Sequence, residues 1–315
     1  MSLKRVIEKN KIMNSKKEAT HDLKKTLKYY LFIVFLFFFI VSVLFMLSYF
    51  SICNNQFLSN FFGHFNNTQF LIYFSVGFVA QLIDGTLGMA YGVSSTSFLI
   101  SSGISPAVAS SSVHISEIFT SGISGFFHLK FGNVDKTVFK NLLIPGILGA
   151  VLGAVFLVSF DGEVIKPYIS IYLLIMGSII IFKAFRKVLS FRNYSKVRWL
   201  ALFGGFVDAS GGGGWGPVVT TTLIGTGKEP RLTIGTVNAA EFFVSIAASG
   251  VFTLFLGLNN WLIIIGLITG GMLAAPLGAF LCRKINIRFA LLLVGMLIIS
   301  LSIRTIYLSF FYLFF

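Results

Sequence analysis

Four carboxyl groups stand inside apolar sequence, Asp84, Glu117, Asp208 and Glu241, while the other seven of the chain's 11 acids lie in the N-terminal segment or in loops. An ionisable group at membrane depth is costly and marks a substrate or ion pathway. The four form two pairs with the same 33-residue spacing. Each Asp opens a glycine-rich turn, Asp84-Gly-Thr-Leu-Gly-Met-Ala-Tyr-Gly92 in one case and Asp208-Ala-Ser-Gly-Gly-Gly-Gly-Trp-Gly-Pro217 in the other. Backbone that leaves helical geometry inside a bilayer carries N–H and C=O groups that hydrocarbon cannot satisfy, so it faces protein, a polar cavity or a ligand. Successive amides at the start of a half-helix form a nest of anion size, reinforced by the helix dipole. The candidate substrate contacts are therefore Gly85, Gly88, Tyr91 and Gly92 in the first turn, and Gly211, Gly212, Gly213, Gly214, Trp215 and Gly216 in the second.

Fixed negative charge beside these turns opposes an anion. Two arrangements resolve the conflict. Either the carboxyls stay neutral or exchange protons during transport, with His114 as a further titrating group, or Asp84 and Asp208 simply cap half-helix N-termini. Ser110, His114, Glu117 and Ser121 recur at three- and four-residue steps and so share a helix face, and the second copy offers Asn238, Glu241 and Ser245. A cation or metal-ion pathway through the same four acids is the alternative chemistry. His114 and Glu117 make an HxxE pair, but Asn238 stands where the second copy would need its His, so no metal centre is expected. Gly211 to Gly214 precedes no Lys-Ser/Thr and is no nucleotide-binding loop. No nucleophile–base pair is evident, so neither an enzyme nor a cofactor is expected.

These residues belong to a duplicated unit. Residues 84–121 align without a gap on 208–245, and 12 of the 38 positions are identical, among them both acid pairs, Pro106/Pro230 and Gly92/Gly216. Tyr91 and Trp215 match one another. The unit continues through Gly146/Gly271 and Gly153/Gly278 to Gly177/Gly295. In the first repeat, 69–185, the pattern predicts a Gly-interrupted stretch at 69–102 and helices at 106–128, 141–160 and 168–185. The second, 199–312, predicts a stretch at 199–227 and helices near 231–256, 261–281 and 289–312.

With 56% hydrophobic residues and a mean hydropathy of +0.87, the chain is an integral membrane protein. Its net charge of +14 does not imply nucleic acid, because the 25 Lys and Arg sit almost wholly between apolar runs, as in cytoplasmic loops. The two cysteines, Cys53 and Cys282, support neither a disulfide framework nor a zinc site. Residues 1–28 read as a basic cytoplasmic tail and 29–52 as a retained transmembrane anchor.

Loop charge then sets the topology. If each Gly-rich stretch crossed once, the basic linker 186–198 would fall outside. If each dips in and returns, three crossings remain per repeat, and Lys130, Lys136, Lys140, the linker, Lys228 and Arg231 all join the tail on the cytoplasmic side. Three is odd, so the repeats would be inverted. The expected fold is thus an all-α polytopic plasma-membrane protein with an N-terminal anchor and two inverted four-element repeats, each opening with a Gly-broken hairpin. Its partners are the lipid bilayer and a small anionic substrate, with a homo-oligomer left open.

At these residues the chain resembles the TauE/SafE family of membrane transporters. The marks are Gly-Gly-Gly-Gly-Trp-Gly-Pro at 211–217, Gly-Asn-Val-Asp at 132–135, and Pro106/Pro230 followed by Glu117/Glu241, over residues 69–312. Where many relatives carry three glycines, the first turn here has Asp84-Gly-Thr-Leu-Gly-Met-Ala-Tyr-Gly92. The resemblance implies export of a small sulfur oxyanion or sulfonate such as sulfite.

Overall fold

The computed structural model describes residues 68–185, 196–258, 260–281 and 287–314. The expected tail, the anchor and most of the linker 186–198 lie outside the described residues. All regular structure among the described residues is helical. The first repeat comprises α1 (Thr68–Leu87), α2 (Tyr91–Ser101), α3 (Pro106–Lys130), α4 (Lys136–Val158) and α5 (Gly162–Phe185). The second comprises α6 (Val197–Gly211), a wide π-type turn (Gly216–Thr220) running into α7 (Thr221–Gly225), then α8 (Pro230–Leu256), α9 (Trp261–Leu281) and α10 (Ile287–Phe314).

Pro106 and Pro230 open α3 and α8, where a missing N–H costs nothing. Two helices start earlier than the sequence pattern suggests. The Asp135 carboxylate accepts from the amides of Thr137 and Val138, so α4 begins at Lys136 rather than 141. Asp161 does the same for Glu163 and Val164, so α5 begins at Gly162 rather than 168.

By length and composition, α4, α5, α8 and Leu291–Ser309 of α10 can each cross a bilayer. Their outward faces carry exposed Leu148, Leu152, Ile171, Phe182, Leu254 and Phe255. Their inward faces are small: Gly149 and Gly153 of α4 sit on the backbone of Leu202 and Phe206 in α6. With lipid as apolar as any side chain, close backbone packing of this kind supplies the adhesion.

The residues that meet give the helix directions. Glu117 pairs with Ser245, Ser121 with Glu241 and Ser124 with Asn238, so α3 and α8 cross antiparallel. Gly177 meets Ile298 and Gly295 meets Ile181, so α5 and α10 are antiparallel too. By contrast, Ser116 and Thr120 of α3 meet Ile264 and Gly271 of α9 in ascending order, as Tyr73 and Phe78 of α1 meet Gly266 and Gly270. Hence α1, α3 and α9 all run the same way. A chain that goes up in α1 and up again in α3 must come down in α2. The first Gly-rich stretch is therefore a re-entrant hairpin, and corresponding helices of the two repeats run in opposite directions. The repeats also interlock, since α1 packs on α9 and α6 on α4, each first element against the fourth element of the other repeat.

Candidate functional site

The hairpin tips meet at the centre of the two repeats. After α1 the chain breaks at Gly88 (φ 65°) and Ala90 (φ 103°) and resumes at Tyr91. After α6 it breaks at Gly212 (φ 70°) and Gly213 (φ 146°). Ala90 is the one non-glycine residue with positive φ among the described residues, a strained conformation of the kind that clusters at functional sites. The breaks cross backbone on backbone: a Cβ on Gly213 would strike the Val93 amide and Gly92, and one on Gly216 would lie 2.6 Å from Met89 Cα. Thr96 donates its hydroxyl to the Gly212 carbonyl, tying α2 to the second break.

The anion nest expected in the second turn is already engaged. Asp208 Oδ1 accepts the Gly214 amide at 2.7 Å and the Trp215 amide at 2.9 Å, while the Gly213 amide donates to the Asp208 carbonyl at 2.9 Å. In the first repeat the Tyr91 amide lies beside the buried Asp84 carboxyl, seven residues on as Trp215 is from Asp208. The glycines thus do not leave bare amides beside a hollow, as the sequence pattern suggests. Each break carries its own Asp carboxyl beside its amides. Asp84 and Asp208 are 4% and 1% exposed, so the clasp is shielded from solvent.

Around this crossing lie the other candidates. His114 is buried; its Nε2 faces Asp208 Oδ2 at 3.3 Å, and Phe252 lies against its ring. Glu117 Oε2 accepts from Ser245 at 3.2 Å, and Glu241 Oε2 accepts from Ser121 at 2.9 Å, each carboxyl held by a serine of the opposite repeat. Glu117 Oε1 lies 3.0 Å from where a Cβ on Gly92 would stand. Asn238, the counterpart of His114, donates to Ser124 at 2.8 Å instead of facing an Asp.

The aromatics do a different job from walling the crossing. Trp215 is fully buried, donates Nε1 to the Val237 carbonyl and stacks its ring edge over Gly146 of α4. Tyr91 turns its hydroxyl to the Leu267 carbonyl and Gly271 of α9. Gly146 and Gly271 are themselves repeat partners, so both rings anchor their breaks in matched glycine notches. What these two residues present to the crossing is backbone N–H.

Three contributors escape the sequence pattern. Tyr172 of α5 donates to the Gly213 carbonyl at 2.7 Å, and its ring backs Gly211 and Gly214. Lys183 donates to the Pro217 carbonyl at 3.0 Å. Arg304 of α10 donates to the carbonyl and hydroxyl of Ser101, where a cation suits the C-terminal end of α2. Arg304 was detectable as a basic residue inside the last apolar helix. Tyr172 carried no such signal among ten tyrosines.

Inverted repeats that meet at broken helices near their shared axis define a class, the polytopic membrane transporter. The chain belongs to the sulfite exporter TauE/SafE family, whose model matches residues 73–305. It is 44% identical over 248 residues to the probable membrane transporter protein YtnM of Bacillus subtilis (strain 168), an alignment covering 76% of this chain and 83% of that protein. No solved structure matches it.

Proposed function

We propose that this protein is a secondary transporter that exports a small sulfur-containing anion, of the sulfite or sulfonate class, through the crossing of its two hairpin tips. The observation that carries the reading is the clasp of Asp208 on the Gly214 and Trp215 amides, with Asp84 beside the Tyr91 amide at the matching place in the first repeat. A carboxylate is an oxyanion with two oxygens, and amides placed to hold it suit a sulfite or sulfonate oxygen equally. Substrate entry exchanges one oxyanion for another on the same donors, so amides are never left bare inside the bilayer. The family's name points to the same chemical class.

The α3–α8 crossing is the pivot on which one repeat rocks against the other, as inverted repeats allow. Glu241 is the coupling carboxyl, released from Ser121 as the repeats part and able then to exchange a proton. Lys130, Lys136, Lys140, Lys228 and Arg231 face the cytoplasm of a plasma-membrane protein with a cytoplasmic N-terminus, and gather anions there.

Reconstituted liposomes test this. Sulfite or methanesulfonate efflux that follows an imposed pH gradient and falls at least tenfold in Gly213→Val supports it; no flux of either anion sinks it. A cation carrier is the second reading, favoured by the convergence of His114, Glu117 and Asp208. Zinc uptake without anion flux would establish that one.

A further inference from the structure

We propose that His114, Asp208 and Glu117 bind one divalent transition-metal ion at the junction of the two repeats. The argument starts from the imidazole. Its Nδ1 lies 2.8 Å from the Ser110 carbonyl, and a carbonyl only accepts, so Nδ1 carries the hydrogen. With Nδ1 so engaged, Nε2 is the ring atom that faces Asp208 Oδ2, 3.3 Å away. An imidazole nitrogen and a carboxylate oxygen facing one another in a buried site frame a position for a cation. The separation matches the edge of a tetrahedron: nitrogen and oxygen ligands each about 2.0–2.1 Å from a central ion stand roughly 3.3 Å apart.

Glu117 offers the third carboxylate oxygen, with all three ligand atoms within 4.8 Å of one another and all three residues buried; that span exceeds a tetrahedral edge, so a bound ion draws the Glu117 carboxylate inward. Each ligand is also held from behind, as metal ligands commonly are. The Ser110 carbonyl and Phe252 fix the ring, the Gly214 and Trp215 amides fix Asp208, and Ser245 fixes Glu117. One imidazole with two carboxylates suits Zn²⁺ or Co²⁺ better than the oxygen-only preferences of Mg²⁺ and Ca²⁺. The site is single because the second repeat has Asn238 in place of His114. Ninety-four residues separate His114 from Asp208, which hid the set from the sequence spacing.

Three protein ligands leave a fourth tetrahedral position for an outside oxygen. Taken with the proposed transport of a small anion, on which this step alone rests, the ion supplies the positive charge that the surrounding acids otherwise deny such a substrate.

Cobalt is the probe. Co²⁺ titrated into the purified full-length protein in detergent should give visible bands of tetrahedral Co²⁺ that saturate at one ion per chain and bleach on adding Zn²⁺. The bands should vanish in His114→Asn, which installs the residue of the second repeat, and persist in His128→Gln. Should His114→Asn fail to fold, Glu117→Gln must weaken binding at least tenfold in protein that still elutes as a single species. Absent bands, or bands unchanged in His114→Asn or Glu117→Gln, overturn the site and assign a proton to the His114–Asp208 contact. Sulfite flux without cobalt binding overturns the metal site while the transport reading stands; cobalt binding with zinc uptake and no anion flux upholds the site and removes the anion reading.

Discussion

Asp208 does for the second hairpin what an N-cap does for an ordinary helix, but six and seven residues ahead and across a glycine break, so its carboxylate reaches two amides that no helix turn could satisfy. Removing the acceptor leaves both N–H groups buried and unpaired, at about 1–3 kcal/mol each. Asp208→Ala should therefore lower the thermal unfolding midpoint in detergent markedly, while Asp208→Asn, which keeps an acceptor oxygen, should lose much less. Equal midpoints for the two variants would show that the clasp holds nothing together. Glu241 makes a different demand. Gln at that position still accepts from Ser121 but cannot exchange a proton, so Glu241→Gln should fold normally while anion flux loses its response to a pH gradient by at least tenfold. Flux that still follows the gradient would remove Glu241 from coupling.

Helices α4 and α6 touch through backbone, and the small residues between them set the distance. A Cβ on Gly205 would collide with the Gly146 carbonyl and stand 3.0 Å from the Ala150 amide, with only backbone available to yield. Gly205→Ala should cost about 1–3 kcal/mol by overpacking and lower the unfolding midpoint. Gly250 in α8 meets nothing within 4 Å, so Gly250→Ala should be neutral or gain up to about 0.5–1 kcal/mol from reduced chain entropy. A ranking in the other order would place α4 and α6 farther apart. The same scale shows what sequence could and could not reveal. Pro106, Pro230 and the glycine breaks announce their elements, and the helices over α3, α8 and α9 start within about two residues of expectation. The starts of α4 and α5 were hidden because Asp135 and Asp161 look like ordinary loop acids until their carboxylates are seen on the next amides. The four buried acids could be named from spacing alone. Their pairing with Ser245 and Ser121 could not, because those serines reach Glu117 and Glu241 only through an antiparallel crossing that spacing does not encode. Nor could the direction of the glycine amides, which depends on φ at Gly212 and Gly213 rather than on residue type.

For the molecule as a whole, duplication with an odd number of crossings leaves each residue and its counterpart on opposite faces of the membrane. The directions of α1, α3 and α9 against α8 and α10 require this within the described residues, and the basic loops supply the sign. Lys228 is exposed at the end of the second hairpin, three residues before Arg231 and in one hollow with Asp135, while the exposed Ser102 at the end of the first lies in a loop with no basic residue of its own, Arg304 of α10 reaching Ser101 beside it. On the proposed orientation, in which cationic loops stay in the cytoplasm, the first hairpin should enter from outside and the second from within. Single cysteines at these two places, in a chain with Cys53 and Cys282 replaced by serine, separate the possibilities. Ser102→Cys should react in intact cells with a thiol reagent that cannot cross the membrane, and Lys228→Cys should react only after the cells are opened. Labelling of both from one face would mean that a Gly-rich stretch crosses completely in one repeat, and the inverted arrangement, together with the pivot at α3 and α8, would have to be abandoned.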